Sequence, residues 1–451
     1  MVGIIIIFVI GYLMIAFEHV IHINKAATAL FLGITCWTLL VIQPHGHEYL
    51  HDFEHHLLNI TPLLLFLLGA MTIVELIDIH KGFGFITRRV TTHSASKLFW
   101  VIALLTFFLS AVLDNLTTTI VMIYLLRKLV RDYQLRLVFV SLVIICANAG
   151  GVWSPIGDVT TTMLWIGGQI TSWPTVRDLF IPAVVCALVP TAYLAWKYKG
   201  VSIAFQEEPM EQEAKDEKVH GSLRILLLGI GGLLFVPVYK SITHLMPFMG
   251  MLLSLSVLWI ASEIIHKDKP KDERAKYSAA NALRKIDSPS ILFFVGILLA
   301  VAALESMGTL AQLASALDVW IGNKDAIAGI IGVLSAIIDN VPQVAAAMGM
   351  YPLASASVNP EAYAFAMANP TLVTDGAFAF QQTTYFLPDA KLWQAVAYTA
   401  GTGGSMLIIG SAAGVAAMGI EHINFVWYLK KITPLAVASF VAGFAMYLLL
   451  Y

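Results

Sequence analysis

Charge is what this 451-residue sequence has least of: Asp, Glu, Lys and Arg make up 12% of it, against 58% hydrophobic residues and a mean hydropathy of +0.79. That scarcity excludes a soluble globular domain, in which roughly a quarter of residues carry charge. Cysteine is scarce too. Cys36, Cys146 and Cys186 all lie in apolar runs, so they are expected to be small hydrophobes, which argues against a disulfide framework or a soft-metal centre. No nucleophile elbow occurs, and the His-Glu-x-x-His string His47-Glu48-Tyr49-Leu50-His51 falls in the His-rich segment 44–57 and not within an apolar span, so no enzyme or cofactor is expected. The formal charge of -2 says little about partners, because distribution matters more than the sum; no nucleic-acid partner is expected. Residues 1–17 contain no Lys or Arg and no small-residue cleavage pattern, so they are expected to begin a first span and not to be a signal peptide.

What is present is a run of long apolar segments. They predict an all-α polytopic membrane protein with about ten transmembrane helices, near 2–21, 26–43, 58–79, 137–166, 177–196, 225–243, 248–266, 290–310, 393–420 and 432–450. Two of these, 137–166 and 393–420, contain Gly and Ser in mid-span, the first with Pro155 as well, and are read as broken helices. Two further apolar stretches, 98–126 and 326–350, are interrupted at the centre by Asp-Asn and are read as re-entrant hairpins. With both hairpins leaving on the side they enter, 23 of the 27 Lys and Arg fall on one face. By the positive-inside rule that face is cytoplasmic, and both termini lie outside, most simply across a bacterial inner membrane. The opposite face then carries the His-rich loop 44–57 and the weakly charged segment 351–392.

The hairpin tips repeat one phrase: Leu109-Ser-Ala-Val-Leu-Asp114-Asn115 and Leu334-Ser-Ala-Ile-Ile-Asp339-Asn340. Gly69 and Gly296 match upstream, and Gly150-Gly151 with Gly157-Asp158 matches Gly403-Gly404 with Gly410-Ser411 downstream. The expected domains are therefore two inverted repeats, 1–199 and 225–451, joined by a cytoplasmic linker at 200–224 that carries Glu207, Glu208, Glu211, Lys215 and Asp216.

A carboxylate at bilayer depth costs about 3 kcal/mol or more, so it persists mainly where it binds or moves something. Asp114, Asp158 and Asp339 are such carboxylates. Around them the sequence places Asn115, Thr117, Thr118, Asn148, Ser154, Asn340, Thr402 and Ser405 as neutral ligands or positioning groups. An acidic, hard-oxygen set of this kind suits a small hard cation, Na⁺ first and Li⁺ next, and not a transition metal or an anion. Because burial favours the neutral form of a carboxylate, protons compete with the metal ion for the same oxygens, and coupled exchange follows. Glu75 and Asp78, about one helical turn apart, are a possible second acidic pair.

Asp114-Asn-Leu-Thr-Thr, Ser154-Pro-Ile-Gly-Asp158, Leu334-Ser-Ala-Ile-Ile-Asp339-Asn-Val-Pro342 and Gly403-Gly-Ser405 together resemble the NhaD-type sodium/proton antiporters of the ion transporter superfamily. The resemblance covers most of the chain. It implies paired hairpins in inverted repeats, a homodimer, elevator-type alternating access, and a role in pH homeostasis. The dicarboxylate carriers of that superfamily carry Ser-Asn-Thr signatures where this chain has Asp.

Several alternatives stay open at this point. Asp114 and Asp339 could only cap hairpin tips, and Asp158 could only satisfy unwound backbone. Glu75 and Asp78 could be a solvated helix end. Glu18 and Glu305 lie near span ends, as do His19 and His22, and His45, His47, His51, His55 and His56 read as a solvated loop before a pH sensor or metal site. An Na⁺-coupled carrier of a dicarboxylate or other anion would share the architecture, whereas a passive channel would not need titratable tips.

Overall fold

The computed structural model describes residues 2–451 except 17, 22, 45, 85–91, 93, 204–218, 220, 338 and 382. The linker charges Glu207, Glu208, Glu211, Lys215 and Asp216, and also His22 and His45, lie outside the described residues. The chain is an all-α polytopic membrane protein: nine of its described helices are long and apolar enough to cross a bilayer. The expected count of ten differs at three places. Val2–Ala16 has 15 residues and Lys391–Gly403, the first half of the second broken span, has 13, so both fall short of a full span, whereas Ala95–Leu113, read from sequence as half of a hairpin, has 19. At about 1.5 Å per residue that single arm is long enough to reach across most of the hydrocarbon.

Both interrupted segments do fold back on themselves. In the first, Ala95–Leu113 and Asn115–Leu129 are separated by Asp114 alone. Phe99, near the start of the first arm, stacks on Phe139 with ring centroids 3.9 Å apart. Just beyond the second arm, the Val130 carbonyl accepts from Arg136 Nη1 at 3.0 Å. Both arms therefore root at the start of Tyr133–Val152, the first half of the first broken span. The second hairpin, Lys324–Leu334 and Asn340–Met350, roots at the start of Lys391–Gly403. There Lys391 Nζ donates to Asp325 Oδ2 at 2.9 Å, and Lys324 lies 4.4 Å from the Tyr351 ring centre.

The broken spans run in opposite directions past each other. Thr171, just after the first, donates its backbone N–H to Asp389 Oδ1 at 2.6 Å, next to the start of the second. At the far end Glu421, closing the second, accepts from Arg136 Nε at 3.0 Å. Every residue from Leu137 to Val152, and from Leu392 to Gly403, is buried, the second segment including the polar Gln394, Thr399 and Thr402. Matched contacts seat each hairpin on its span. Ser110 Oγ donates to the Ala147 carbonyl at 2.6 Å, and Ser335 Oγ to the Ala400 carbonyl at 2.7 Å. Gly150 lies against the backbone of Phe107, and Gly403 against that of Gly332, so close that a Cβ on either glycine would collide with a backbone atom.

A second group of helices packs beside this one. Lys25–Ile42 crosses Ser288–Ser306 at Gly33 and Gly296, whose backbones touch, and Trp37 Nε1 donates to the Leu299 carbonyl at 2.8 Å. Tyr49–Ile79, Ser222–Thr243 and Pro247–Ile265 complete it.

One local expectation is corrected. The His-rich segment is mostly helical and not a loop, because Tyr49–Ile79 begins ahead of His51, His55 and His56. In the weakly charged segment 351–392, Pro360–Ala368 and an antiparallel hairpin, Ala377–Phe380 with Thr383–Phe386, close over a small aromatic cluster of Phe365, Phe378, Phe380 and Tyr385.

Candidate functional site

Asp114, Asp158 and Asp339 share one structural role: each is the N-cap of a helix, Asn115–Leu129, Val159–Ile166 and Asn340–Met350 respectively. All three line one cavity, together with Asn115, Asn340 and Lys25. Three carboxylates thus sit at three helix starts, where unpaired N–H groups and the positive dipole end favour negative charge.

Asp158 is 1% exposed and the most enclosed of the three. Its Oδ1 accepts from the Thr160 N–H at 2.8 Å and from Thr160 Oγ1 at 2.7 Å; its Oδ2 accepts from Asn115 Nδ2 at 2.7 Å. The break that places it depends on Gly151 and Gly157, since a Cβ on either would strike the other's carbonyl. Asp114 accepts from Thr117 through both oxygens, N–H to Oδ1 at 2.7 Å and Oγ1 to Oδ2 at 2.9 Å. Its backbone is unusual, with φ 87° and ψ 161°. Asp339 accepts from the Val341 N–H at 3.3 Å and forms an ion pair with Lys25, whose Nζ lies 2.8 Å from Oδ2.

Neutral side chains tie the two breaks together. Asn148 accepts from Asn115 Nδ2 at 3.0 Å and donates to Ser405 Oγ at 2.8 Å and Ser411 Oγ at 3.0 Å. Ser411 caps Ala412–Glu421 as Asp158 caps its own helix, so the second break repeats the first without the charge.

The structure thus brings together Asp114, Asp158, Asp339, Asn115, Thr117 and Asn340 around the cavity, with Asn148 and Ser405 behind them. Other expected ligands point elsewhere. Ser154 Oγ accepts from the Ile156 N–H at 3.4 Å, and Thr402 Oγ1 donates to its own helix at the Tyr398 carbonyl, 2.6 Å away. Thr118 is fully buried one turn behind the tip, and its hydroxyl has no partner among the described residues. Glu75 pairs with Lys285 at 3.6 Å and Asp78 is exposed; neither lines the cavity. Among the described residues no three His, Cys, Asp or Glu side chains close on a single metal position, so the carboxylates border a shared space instead of forming a tight chelate.

Lys25, Thr160 and Ser411 were absent from the sequence-derived set. For Lys25 a signal existed: it is the one Lys or Arg in the first 80 residues. In sequence a lone lysine at a helix start reads as a flanking charge, and in the structure its ammonium meets Asp339.

Comparison with known proteins gives a consistent result. The family described as "Citrate transporter" matches residues 12–369. Sodium/proton antiporter 1 of Arabidopsis thaliana is 44% identical over 447 residues, covering 98% of this chain and 71% of that protein. Sodium/proton antiporter 2 of the same plant is 42% identical over 441 residues, covering 98% and 97%. The Na(+)/H(+) antiporter NhaD of Vibrio cholerae is 29% identical over 485 residues, covering 98% and 90%.

Proposed function

We propose, from the premise that this chain belongs to the citrate transporter family, that it is a secondary active Na⁺(Li⁺)/H⁺ antiporter in which metal ion and proton compete for Asp114, Asp158 and Asp339. The observation that carries this reading is the charge of the cavity. Three carboxylates line it, and among its described lining residues Lys25 is the one basic side chain, already paired with Asp339. A citrate-like anion would meet net negative charge there, whereas a small cation meets carboxylate oxygens backed by Asn and Thr dipoles. The names of the antiporter relatives point the same way.

Exchange balances simply: a protonated carboxyl releases H⁺ as Na⁺ takes its oxygens, and the reverse step restores the proton. Moving the cavity across the bilayer with bare carboxylates would be costly, so crossing is confined to loaded or protonated states, which couples the two fluxes. In this reading the hairpins and broken spans travel as an elevator-type transport part. The helices around Gly33 and Gly296 serve as scaffold. The repeats 1–199 and 225–451 are inverted about the antiparallel broken spans, with the matched Ser110 and Ser335 contacts as support. A homodimer in a bacterial inner membrane, both termini outside, completes the proposal. It needs no cofactor and acts in pH homeostasis; the distribution of Lys and Arg supports the sidedness.

The test is proton flux in proteoliposomes on adding NaCl, LiCl, KCl or sodium citrate. Expected are NaCl- and LiCl-driven proton movement and its loss, by about 100-fold or more, in Asp158→Asn, with similar losses in Asp114→Asn and Asp339→Asn. Unaltered exchange in all three variants, or flux that requires citrate, would overturn the assignment.

A further inference from the structure

We propose that Lys25 is a built-in counter-cation: in the absence of Na⁺ its ammonium occupies Asp339 and ties the scaffold to the tip of the second hairpin, and Na⁺ entering at Asp339 releases that tie. This inference rests on the antiport reading above and assigns to that site a residue it did not require.

Four observations converge on it. Lys25 Nζ lies 2.8 Å from Asp339 Oδ2, with the two side chains 21% and 13% exposed, so the pair is largely withdrawn from water. Both residues line the cavity that holds Asp114 and Asp158, so a cation reaching those oxygens also reaches this pair. The two residues are anchored on different elements. Lys25 opens the helix that crosses Ser288–Ser306 at Gly33 and Gly296, whereas Asp339 caps a hairpin arm that packs against both Ser288–Ser306 and the second broken span, and whose partner arm is seated on that span through Ser335 and Gly403. Finally, the ammonium has a second place to rest. Phe293 on the scaffold presents its ring 4.6 Å from Nζ, and the Lys25 backbone N–H is held by Glu18 Oε1 at 3.0 Å, so the side chain can leave Asp339 without leaving its base.

The physical logic is competition between two cations for one carboxylate. An ion pair of low exposure is strong enough to hold two bodies in register, yet a hard metal ion with several oxygen ligands can replace one ammonium. Without the tether, Asp339 would be open to Na⁺ at lower concentration, and the hairpin tip would move without waiting for the ion. Lys25 is thus a positioning residue for coupling, not a ligand.

Two measurements on the full-length protein test this. In proteoliposomes, Lys25→Met is expected to lower the Na⁺ KM by about tenfold, whereas Lys25→Arg stays within about threefold of the parent. Separately, Val341→Cys, beside the tip, is labelled with a small methanethiosulfonate reagent in Na⁺-free choline buffer. The rate is expected to change by about threefold or more with Lys25→Met, to return with Lys25→Arg, and to change in the same direction when Na⁺ is added to the Lys25 parent. A labelling rate indifferent to Lys25→Met, or altered equally by Met and Arg, overturns the tether whatever KM does. The Na⁺-free arm needs no transport, so absent exchange in the parent would defeat the antiport reading while the tether is decided by labelling alone.

Discussion

Asp114 holds φ 87° and ψ 161°, a region that residues bearing a Cβ enter at a cost of about 1–3 kcal/mol. The cost is tolerated because this conformation turns the chain within a single residue while keeping the carboxylate on Thr117 and inside the cavity. A separation of roles follows. Asp114→Gly and Asp114→Ala should both abolish exchange, but the Gly variant, free of the steric penalty, should unfold at the higher temperature in detergent. Equal melting temperatures would mean that the residue relaxes its backbone once its carboxylate is gone. Asp158 needs no such strain. It is set by a break whose two glycines admit no side chain, and its oxygens are filled by Thr160 and Asn115.

Among elements, the hairpins and broken spans were readable from sequence because the chain states them twice. The repeated Leu-Ser-Ala phrase placed the two acidic tips, while the seating of each hairpin on its span through Ser110 and Ser335 emerges only in the fold. The glycines complete the pattern. Gly150 and Gly403 each bring a hairpin backbone into direct contact, so Gly150→Ala and Gly403→Ala should each destabilise by about 1–3 kcal/mol through overpacking. Thermal unfolding of the two variants checks this; a silent Gly403→Ala beside a damaging Gly150→Ala would show that the matched seats are not equivalent. The Ala377–Phe386 hairpin escaped the sequence reading because its strands are four residues each and carry no turn dipeptide of the usual kind. The helical course of the His-rich segment escaped for the opposite reason: polar residues at a helix start look like loop when no cap marks the boundary.

Across the whole molecule, what sequence reading could not supply was partnership at long range. Lys25 and Asp339 are 314 positions apart, and a lysine at a helix start has an ordinary explanation as a flanking charge until the fold sets it against a carboxylate. The same holds for His80, which follows Tyr49–Ile79 and is buried against Ser262, His266 and Tyr277 near Lys269. Burial holds its imidazole below the ordinary value of 6.5, Lys269 acts in the same direction, and the Leu76 carbonyl opposes them. The folded chain therefore takes up this proton at lower pH than the unfolded chain. Its contribution to stability is complete above about pH 6.5 and is lost as pH falls below that through the folded-state value. Melting curves taken from about pH 8 down to about pH 5 should steepen in their decline below neutrality, and His80→Gln should flatten that decline. An unchanged slope would assign the acid sensitivity to other groups.

Ser411 occupies in the second break the position that Asp158 holds in the first, capping its helix through the Gly414 N–H at 3.2 Å and meeting the amide of Asn148 at 3.0 Å. The molecule thus keeps a silent twin of its own acidic cap, already oriented and already wired to the live one. On the antiport reading proposed above, the number of elementary charges moved per cycle is set by side-chain identity at that one locus, open to change without shifting a single helix.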